Sequence, residues 1–382
     1  MPKGKLNEVT IKEVKTKREL REFVQFGIDL FEGNPYYCPP IIIDEINTFN
    51  PKSNPAHEVC DFVTYMAYRD GKIVGRIAGI VNHRANEAWD VKKCRFGWFD
   101  FIDDYEVFKA LLDAVAAWGK SRGMECLNGP VGFTDFDKQG LLIEGFDHSA
   151  PMARLYTHPY YIKHYERYGL TKEADWIEYQ IQNPKEAPER MRRLVELIEN
   201  RYKLRTIKVK NTRELTKRYG YSYFDVLDQA YQKLYNYQPM TPRQKRYYCK
   251  MYFPLLNFDF VTMVANEADE IIAVGVGMPS LSEALRKCRG RLFPFGWYHL
   301  LKALKAKKMT DFDLLLIAVR PDYQDKGVTA LIFNEMAPYF DKYGIKRVET
   351  TAILETNSKS LANFADLERI QHKRRRAYIK AI

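Results

Sequence analysis

Six consecutive residues, Gln324–Thr329, have the composition of a loop that binds phosphate groups. They follow an apolar stretch, Asp313–Val319, that is typical of a buried strand. They lead into Val328–Tyr343, whose apolar residues recur at helical spacing. Gly327 allows the backbone to turn tightly, and the amides at a helix N-terminus attract anions. The pattern predicts a strand, a phosphate-binding loop and a helix that kinks or ends early at Pro338. An ordinary turn between strand and helix is the alternative.

This loop resembles motif A of the GNAT acyltransferases, a Gln/Arg-x-x-Gly-x-Gly/Ala sequence that holds the pyrophosphate of coenzyme A. Thr329 stands where Gly or Ala is usual. The resemblance implies that acyl-CoA is the co-substrate, held by the loop and by the end of the preceding strand. The residues expected to bind it are Ile317, Ala318, Val319, Gln324, Asp325, Lys326, Gly327, Val328 and Thr329. Asn357 is expected either to bind the pantetheine arm or to cap the next helix.

An internal repeat extends this arrangement to the whole chain. Phe62–Ile80 aligns without gaps with Phe260–Met278, and each reads as two strands around a polar turn. A matching helix start lies upstream of each copy. A matching amphipathic helix that ends at a glycine, Gly123 or Gly344, lies downstream. The repeat predicts an α/β protein of two tandem GNAT-like folds, each a mixed, mostly antiparallel twisted sheet flanked by helices.

The two copies differ where the chemistry of a GNAT domain would lie. In place of the loop, the first copy carries Asp100, Asp103 and Asp104, whose charges would repel a pyrophosphate. Asp103 or Asp104 is more simply a helix N-cap. We therefore expect only the second copy to bind coenzyme A. The expected division is an N-terminal GNAT-like domain without the pyrophosphate loop (1–183), a linker helix (184–205) and a C-terminal GNAT domain with the coenzyme A loop (206–382).

Segments along nearly the whole chain resemble the YghO-like branch of acyl-CoA N-acyltransferases. They include Phe23–Pro40, Gly129–Phe146, Tyr235–Thr241, Leu292–Leu304 and Gln371–Tyr378. Some bacterial relatives of this branch are similar to ceramide synthases, which move a long acyl group from acyl-CoA to a sphingoid base. The resemblance implies a GNAT-type N-acyltransferase that transfers an acyl group from coenzyme A to a primary amine, with a sphingoid base or another lipid amine as the acceptor class. A tandem GNAT module that binds acyl-CoA or lipid without turnover is the alternative.

Amine acylation needs a base that takes a proton from the ammonium group and an acid that protonates the leaving thiolate. A backbone N–H around Ile317–Val319 would polarise the carbonyl. Glu355, at the end of the expected strand Val348–Leu354, is the first candidate for the base. Its rivals lie in a loop segment of the first copy and are Asp135, Asp137, Glu144 and His148.

The end of the first copy, His158–Leu170, resembles motif B of the GNAT family. The resemblance places Tyr165 at the position of the tyrosine that acts as the acid. In the second copy Phe364 holds this position, and a phenyl ring cannot protonate a thiolate. Phe364 is most simply a core residue. Tyr235 and Tyr237 are expected either in an acceptor pocket or in aromatic core packing.

The composition predicts a protein without membrane spans, a secretory signal peptide or a bound metal. With 382 residues, 46% of them hydrophobic, the chain can fill two cores. The apolar runs are strand-sized, and the N-terminus has no apolar signal-peptide core. Six cysteines without a C-x-x-C pair favour a reduced, cytoplasmic location. Seven histidines without metal-ligand spacing predict that no metal is bound.

The net charge of +11 favours anionic partners. Residues 284–308 carry eight lysines and arginines and no acidic residue, with several aromatic side chains among them. Such a segment suits a membrane surface or the mouth of an acyl-chain site, and a basic helix with a core-facing stripe is the alternative. We expect a small-molecule or lipid amine as acceptor, a peripheral contact with the inner face of the membrane, and no nucleic acid partner.

Overall fold

A computed structural model describes residues 8–183, 189–365 and 367–382. The chain forms two compact units, and each unit is assembled from separate stretches of sequence. The N-terminal unit comprises Met1–Asp175, Leu285–Gly296 and Lys373–Ile382, and the C-terminal unit comprises Trp176–Ala284 and Trp297–His372. The first part of the expected linker helix, residues 184–188, lies outside the described residues.

The described part of the chain contains fourteen strands and thirteen α-helices. The strands are β1 (Thr10–Glu13), β2 (Cys60–Arg69), β3 (Lys72–Asn82), β4 (Lys93–Phe101), β5 (Cys126–Gly129), β6 (Leu141–Glu144), β7 (Thr171–Gln182), β8 (Arg205–Ile207), β9 (Val261–Ala265), β10 (Ile271–Pro279), β11 (Asp311–Val319), β12 (Arg347–Glu349), β13 (Ile353–Leu354) and β14 (Arg369–Ala381). The helices are α1 (Lys17–Asp29), α2 (Ile42–Thr48), α3 (His83–Ala88), α4 (Tyr105–Ser121), α5 (Tyr161–Tyr168), α6 (Glu189–Tyr202), α7 (Thr212–Tyr219), α8 (Ser222–Tyr231), α9 (Pro242–Tyr252), α10 (Ser282–Cys288), α11 (Gly296–Leu304), α12 (Thr329–Tyr343) and α13 (Ser358–Ala362).

The sheet of the N-terminal unit has the strand order β1-β2-β3-β4-β5-β14, and β6 also pairs with β14. β4 and β5 are parallel, and the other pairs are antiparallel. Successive residues of β3 alternate between two apolar clusters, as they must when both faces of a sheet are covered. Ile77 packs in the cluster that holds Leu111 of α4, and Ala78 packs in the cluster that holds Phe23 of α1.

The sheet of the C-terminal unit has the order β7-β12-β11-β10-β9-β8, and β13 also pairs with β7. β11 and β12 are parallel. The apolar side of α12 packs with Ile198 of α6 in one cluster, where Leu331, Ile332 and Met336 are fully buried. Phe364, expected as a core residue, is buried beside Phe333. On the C-terminal unit, α8 packs against β10 and β11.

The repeat predicted from the sequence is confirmed by matching elements. The hairpin of β2 and β3 corresponds to that of β9 and β10, and the sequence α4–β5 corresponds to α12–β12. α1 begins after Thr16 and α7 begins after Asn211, and both residues cap the first turn with their side chains. Gly123 and Gly344, just beyond α4 and α12, have φ angles of 75° and 72°. The predicted fold class is therefore correct.

Two expected elements have different bounds. The strand expected at Val348–Leu354 is divided into β12 and β13. The ladder is interrupted at Thr350 because its hydroxyl, in place of a backbone carbonyl, accepts the Tyr179 N–H at 2.9 Å, while the Thr350 N–H still donates to the Tyr179 carbonyl at 2.9 Å. α12 does not end early but runs through Pro338 to Tyr343. Its buried apolar side compensates for the hydrogen bond that proline removes.

Among the helices that the structure describes, none combines the length and the apolarity needed to cross a membrane. The six cysteines are free thiols, and three of them, Cys38, Cys60 and Cys94, are buried.

Candidate functional site

The loop between β11 and α12 has two residues in the left-handed backbone region. Asp325 has a φ of 64° and Gly327 has a φ of 71°. A Cβ atom at Gly327 would lie 2.9 Å from Cδ1 of Ile198 on α6. The amide group of Gln324 donates to the carbonyl of Val319 at 3.1 Å and ties the loop to the end of β11. Both the backbone angle and the nearby α6 side chain therefore require glycine at position 327.

α12 begins without a side-chain cap. Val328 occupies the N-cap position and makes no side-chain hydrogen bond to the first turn. In the N-terminal unit, the corresponding helix α4 is capped by Asp104, whose Oδ1 accepts the N–H groups of Glu106 and Val107 at 2.9 and 3.2 Å. A carboxylate of the protein thus neutralises the start of α4. The start of α12 lacks such a side chain, which is the condition under which a helix N-terminus binds an anion.

The other acidic residues at the start of α4 also have structural partners. The Asp100 carboxylate is buried 2.7 Å from the Arg76 guanidinium and accepts the Tyr161 hydroxyl at 3.1 Å. Asp103 lies 2.7 Å from both Lys163 and His164. These carboxylates hold the N-terminal unit together, and their positions fit a copy of the fold without a phosphate-binding loop.

Two lysines lie at the loop of the C-terminal unit. The Lys326 ammonium lies 4.6 Å from the ring centroid of Tyr323 and 5.1 Å from that of Tyr202. Lys359 of α13 pairs with the Asp325 carboxylate at 2.5 Å. This exposed pair contributes little to stability, but it neutralises the acidic residue of the loop. A phosphate group at the start of α12 would therefore meet backbone amides and the Lys326 charge.

β11 and β12 separate after three residue pairs. The last of these pairs is Asp313 with Glu349. Beyond it, β11 continues through Leu314–Val319 along β10, and no other strand of the described residues pairs with that segment. The Tyr231 hydroxyl of α8 donates to the Ile317 carbonyl at 2.8 Å. The backbone of Ile317, Ala318 and Val319 therefore lies beside an opening in the sheet where a ligand can hydrogen-bond as a strand would.

A buried cluster that the sequence analysis missed lies at the point where the two strands separate. Nε2 of His372 lies 2.9 Å from Oε1 of Glu349, and both side chains are at least 88% buried. Glu178 on β7 is fully buried, and one ligand atom from each of the three residues lies within 4.8 Å of the others. Carboxylates next to an imidazole can accept and pass protons. Oxygen and nitrogen donors of this kind also bind divalent metal ions, which the sequence analysis did not expect.

Aromatic residues lie on the same side of the sheet as this cluster. Trp176 precedes Glu178 by two positions on β7, so both side chains point to one face. The Trp176 ring packs edge-on against Tyr235 at a centroid distance of 5.5 Å. Tyr237 is buried, and its hydroxyl donates to Asp228 at 2.6 Å. Tyr235 therefore packs next to Trp176, whereas the buried Tyr237 is tied by its hydrogen bond to α8.

Glu355 and Asn357 lie in the turn after β13. Glu355 is partly exposed. The Oδ1 atom of Asn357 accepts the Ser360 N–H at 3.1 Å and caps α13. Of the two roles expected for Asn357, the structure supports the helix cap.

Tyr165 and Glu144 belong to the N-terminal unit. Tyr165 is fully buried in the aromatic core, and its hydroxyl has no hydrogen-bond partner among the described residues. Burial raises the pKa of Tyr165 well above its ordinary value. Glu144 is exposed and lies 3.4 Å from Arg374. The loop and Glu355 belong to the C-terminal unit, so the two predicted groups of residues are not brought together within either unit.

The rival bases are also in the N-terminal unit. Asp135 and His148 are partly exposed. Burial raises the pKa of Asp137 to about 6, while hydrogen bonds from the Thr134 and Phe133 amides oppose the shift. Asp137 accepts the Thr134 N–H at 2.9 Å, which makes it part of a local turn.

Comparison with known proteins agrees with this architecture. No protein-family model matches the chain. It is 29% identical to Protein YghO of Escherichia coli K12 over 376 residues, which cover 96% of this chain and 94% of that protein. It is 26% identical to the bacterial ceramide synthase of Caulobacter vibrioides, and the alignment covers 98% of each chain.

Solved structures show the same fold at low sequence identity. A tandem GNAT protein from the clavulanic acid biosynthesis pathway superimposes with a TM-score of 0.58 at 11% identity, covering 98% of both chains. A GCN5-related N-acetyltransferase from Sphaerobacter thermophilus superimposes with a TM-score of 0.51 at 10% identity, covering 98% of this chain and 95% of that one. The chain is therefore similar to Protein YghO over nearly its whole length, and it has the fold of tandem GNAT proteins.

Proposed function

We propose that this protein is an acyl-CoA-dependent N-acyltransferase that acts on a primary amine. The observation that carries the proposal is the start of α12. It follows two left-handed residues, has no side-chain cap and lies next to Lys326. In this assignment the pyrophosphate binds Gln324–Thr329, and the pantetheine arm runs along the open edge of β11 at Ile317–Val319. The GNAT fold and the homology to a ceramide synthase support the proposal.

The reaction requires one bond to form and one to break. The amine nitrogen attacks the thioester carbonyl carbon, the carbon–sulfur bond breaks, and the products are an amide and coenzyme A. A backbone N–H on the open edge of β11 would stabilise the oxyanion that forms during attack. A protein base must take the proton of the ammonium group before or during this step.

Two carboxylates of the C-terminal unit are candidates for this base. Glu355 is the candidate from the sequence, and it is accessible in the turn after β13. Glu349 is the candidate from the geometry, because it lies where β11 and β12 separate and 2.9 Å from His372. An imidazole in this place can relay the proton or stabilise the carboxylate. We favour Glu349 for its position, and Glu355 remains the second candidate.

The thiolate of coenzyme A either takes a proton from an acid of the protein or leaves as the anion. Phe364, at the position expected for the tyrosine acid, is buried and carries no proton. Tyr165 stays the sequence-based candidate, although its burial favours core packing. The absence of a tyrosine at position 364 is also the observation that favours the second function, a tandem module that binds acyl-CoA without turnover.

The acceptor is proposed to be a lipid amine such as a sphingoid base. The name of the Caulobacter relative supports this class, and the aromatic pair of Trp176 and Tyr235 supplies an apolar border next to the carboxylates. The proposed partner surface includes the membrane in which such an amine resides, and the proposed location is the cytoplasmic side of that membrane.

Release of free coenzyme A tests the proposed function. Purified protein is incubated with acetyl-CoA or palmitoyl-CoA and with a sphingoid base, and the thiol is titrated over time. We expect thiol release only when the amine is present, and mass spectrometry should detect the amide. Glu349→Gln should lower kcat about 100-fold or more with KM nearly unchanged, while Glu355→Gln should retain most of the activity. The reverse order would assign the base to Glu355. Tight acyl-CoA binding without thiol release would instead support the alternative function, a tandem module that binds acyl-CoA without turnover.

A further inference from the structure

A run of apolar side chains is exposed between α10 and the middle of α11. Phe293 and Phe295 are 77% and 73% exposed, and Trp297 and Tyr298 are 46% and 54% exposed. Leu301 is exposed as well. We call Trp297, Tyr298 and Leu301, which all belong to the C-terminal unit, the aromatic ridge. Exposed apolar side chains that are neighbours on one surface mark a site of interaction.

The loop that carries Phe293 and Phe295 is anchored to the N-terminal unit. The Gly290 carbonyl accepts the Ile42 N–H at 3.0 Å. Arg289 pairs with Asp29 at 3.2 Å and with Glu32 at 2.7 Å. The two phenyl rings therefore point outward from a fixed base.

α11 has one buried and one exposed side. Gly296 and Leu300 are buried, whereas Trp297, Tyr298 and Leu301 are exposed at the spacing of one helix face. Phe295 and Trp297 are two positions apart, so their Cα atoms are within about 7 Å of each other. Phe293 and Phe295 belong to the N-terminal unit, whereas the exposed face of α11 from Trp297 onward belongs to the C-terminal unit.

Lysines follow the aromatic ridge directly. Lys302, Lys305 and Lys307 are exposed, and residues 284–308 contain no acidic residue. Aromatic rings suit the interface between lipid headgroups and acyl chains, and lysines attract anionic headgroups. A second copy of this chain fits poorly, because a symmetric contact would bring the same positive charges together.

We propose that the aromatic ridge and the lysines that follow it dock this protein on an anionic lipid bilayer. The aromatic side chains enter the headgroup region, and the lysines contact lipid phosphates. This inference does not depend on the proposed acyl transfer, because it concerns a surface outside the coenzyme loop. It assigns to the C-terminal unit a peripheral membrane contact through residues 297–307.

Co-sedimentation with vesicles tests the proposal on the full-length protein. We expect binding to phosphatidylcholine vesicles that contain phosphatidylglycerol, and weaker binding to phosphatidylcholine alone. The triple variant Trp297→Ser/Tyr298→Ser/Leu301→Ser should lose about tenfold or more of its partitioning. The double variant Lys302→Glu/Lys305→Glu should lose about fivefold of its partitioning for each lysine. High salt should abolish the difference between this double variant and the parent protein.

The matched control is Trp89→Ser/Leu197→Ser, which removes exposed apolar side chains elsewhere on the surface and should bind vesicles as the parent protein does. Circular dichroism and the unfolding midpoint establish that each variant is folded. Equal vesicle binding by the ridge variant and the control would overturn the proposal. So would the absence of vesicle binding by the parent protein. A dimer in sedimentation analysis that is lost in the ridge variant, without vesicle binding, would assign the surface to a second copy of the chain instead.

Discussion

At the scale of single residues, Gly327 and Lys326 contribute to the proposed coenzyme site in different ways. Gly327 is fixed by its positive φ angle and by Ile198, which a Cβ atom would approach to 2.9 Å. Replacing it would strain the packing of α6 against α12 as well as the loop, so a loss of binding would have two explanations. Lys326 lies over two tyrosine rings and can be changed without altering the backbone. It is therefore the better probe of phosphate binding.

Lys326→Glu should weaken coenzyme A binding about tenfold or more, because a favourable charged contact with phosphate is replaced by repulsion. The dissociation constant is measured by isothermal titration calorimetry. Lys346→Glu is the control, since Lys346 is exposed just before β12, at the end of the parallel strand pair remote from the loop. Equal affinities of the two variants would remove the loop from the site.

Asp137 predicts a pH dependence of stability. Its pKa is raised by burial to about 6 in the folded chain, against an ordinary value of 3.8. The folded state therefore holds the proton more tightly, and this contribution to stability is complete below about pH 4 and is lost as the pH rises through about 6. Asp137→Asn stays neutral and can still accept the Thr134 N–H.

The variant should thus gain on the order of 1 to 3 kcal/mol relative to the parent protein between about pH 4 and about pH 7. Urea unfolding at the two pH values measures this difference. A difference in free energy of unfolding that does not change with pH would contradict it.

At the scale of elements, the sequence predicted the repeated hairpins and helices and the loop whose residues are consecutive. The paired hairpins, the caps at Thr16 and Asn211 and the stops at Gly123 and Gly344 are all local signals, and the structure contains them. The interruption at Thr350 was missed because it depends on hydrogen bonds to Tyr179, far away in the sequence. The loop was predicted because its residues are consecutive.

The cluster of Glu178, Glu349 and His372 had no such signal, since its members come from three strands that meet only in the folded sheet. An acidic residue within the apolar run Trp176–Tyr179 was the one available indication, because charged residues are seldom fully buried.

Two neighbouring strands of the N-terminal unit are joined by a buried ion pair. Arg76 on β3 contacts Asp100 on β4 at 2.7 Å, and it also donates to the Phe23 carbonyl of α1 at 2.9 Å. Arg76→Leu should destabilise the chain by about 3 to 5 kcal/mol, because Asp100 would keep its charge in a buried place without its partner. The double variant Arg76→Leu/Asp100→Leu should recover part of this loss. Urea unfolding of both variants tests the ordering, and a double variant that is less stable than the single one would contradict it.

At the scale of the whole molecule, the last strand completes the N-terminal unit. Residues 378–381 of β14 pair with β5. Arg375 is fully buried, and its guanidinium donates to the Leu155 carbonyl. Arg376 pairs with the buried carboxylate of Asp175 at 2.8 Å. A unit that begins at the N-terminus therefore depends on the last ten residues of the chain.

A fragment of residues 1–183, the contiguous boundary expected from the sequence, should therefore fail to fold alone. It keeps β5 and Asp175 but lacks β14, so a sheet edge and a buried carboxylate lose their partners. We expect no cooperative thermal transition by circular dichroism and a tendency to aggregate. A synthetic peptide of residues 369–382 should restore a cooperative transition, whereas the same peptide with Arg375→Glu and Tyr378→Asp should not. If the fragment alone unfolded cooperatively at the midpoint of the full chain, β14 would be dispensable for the N-terminal unit.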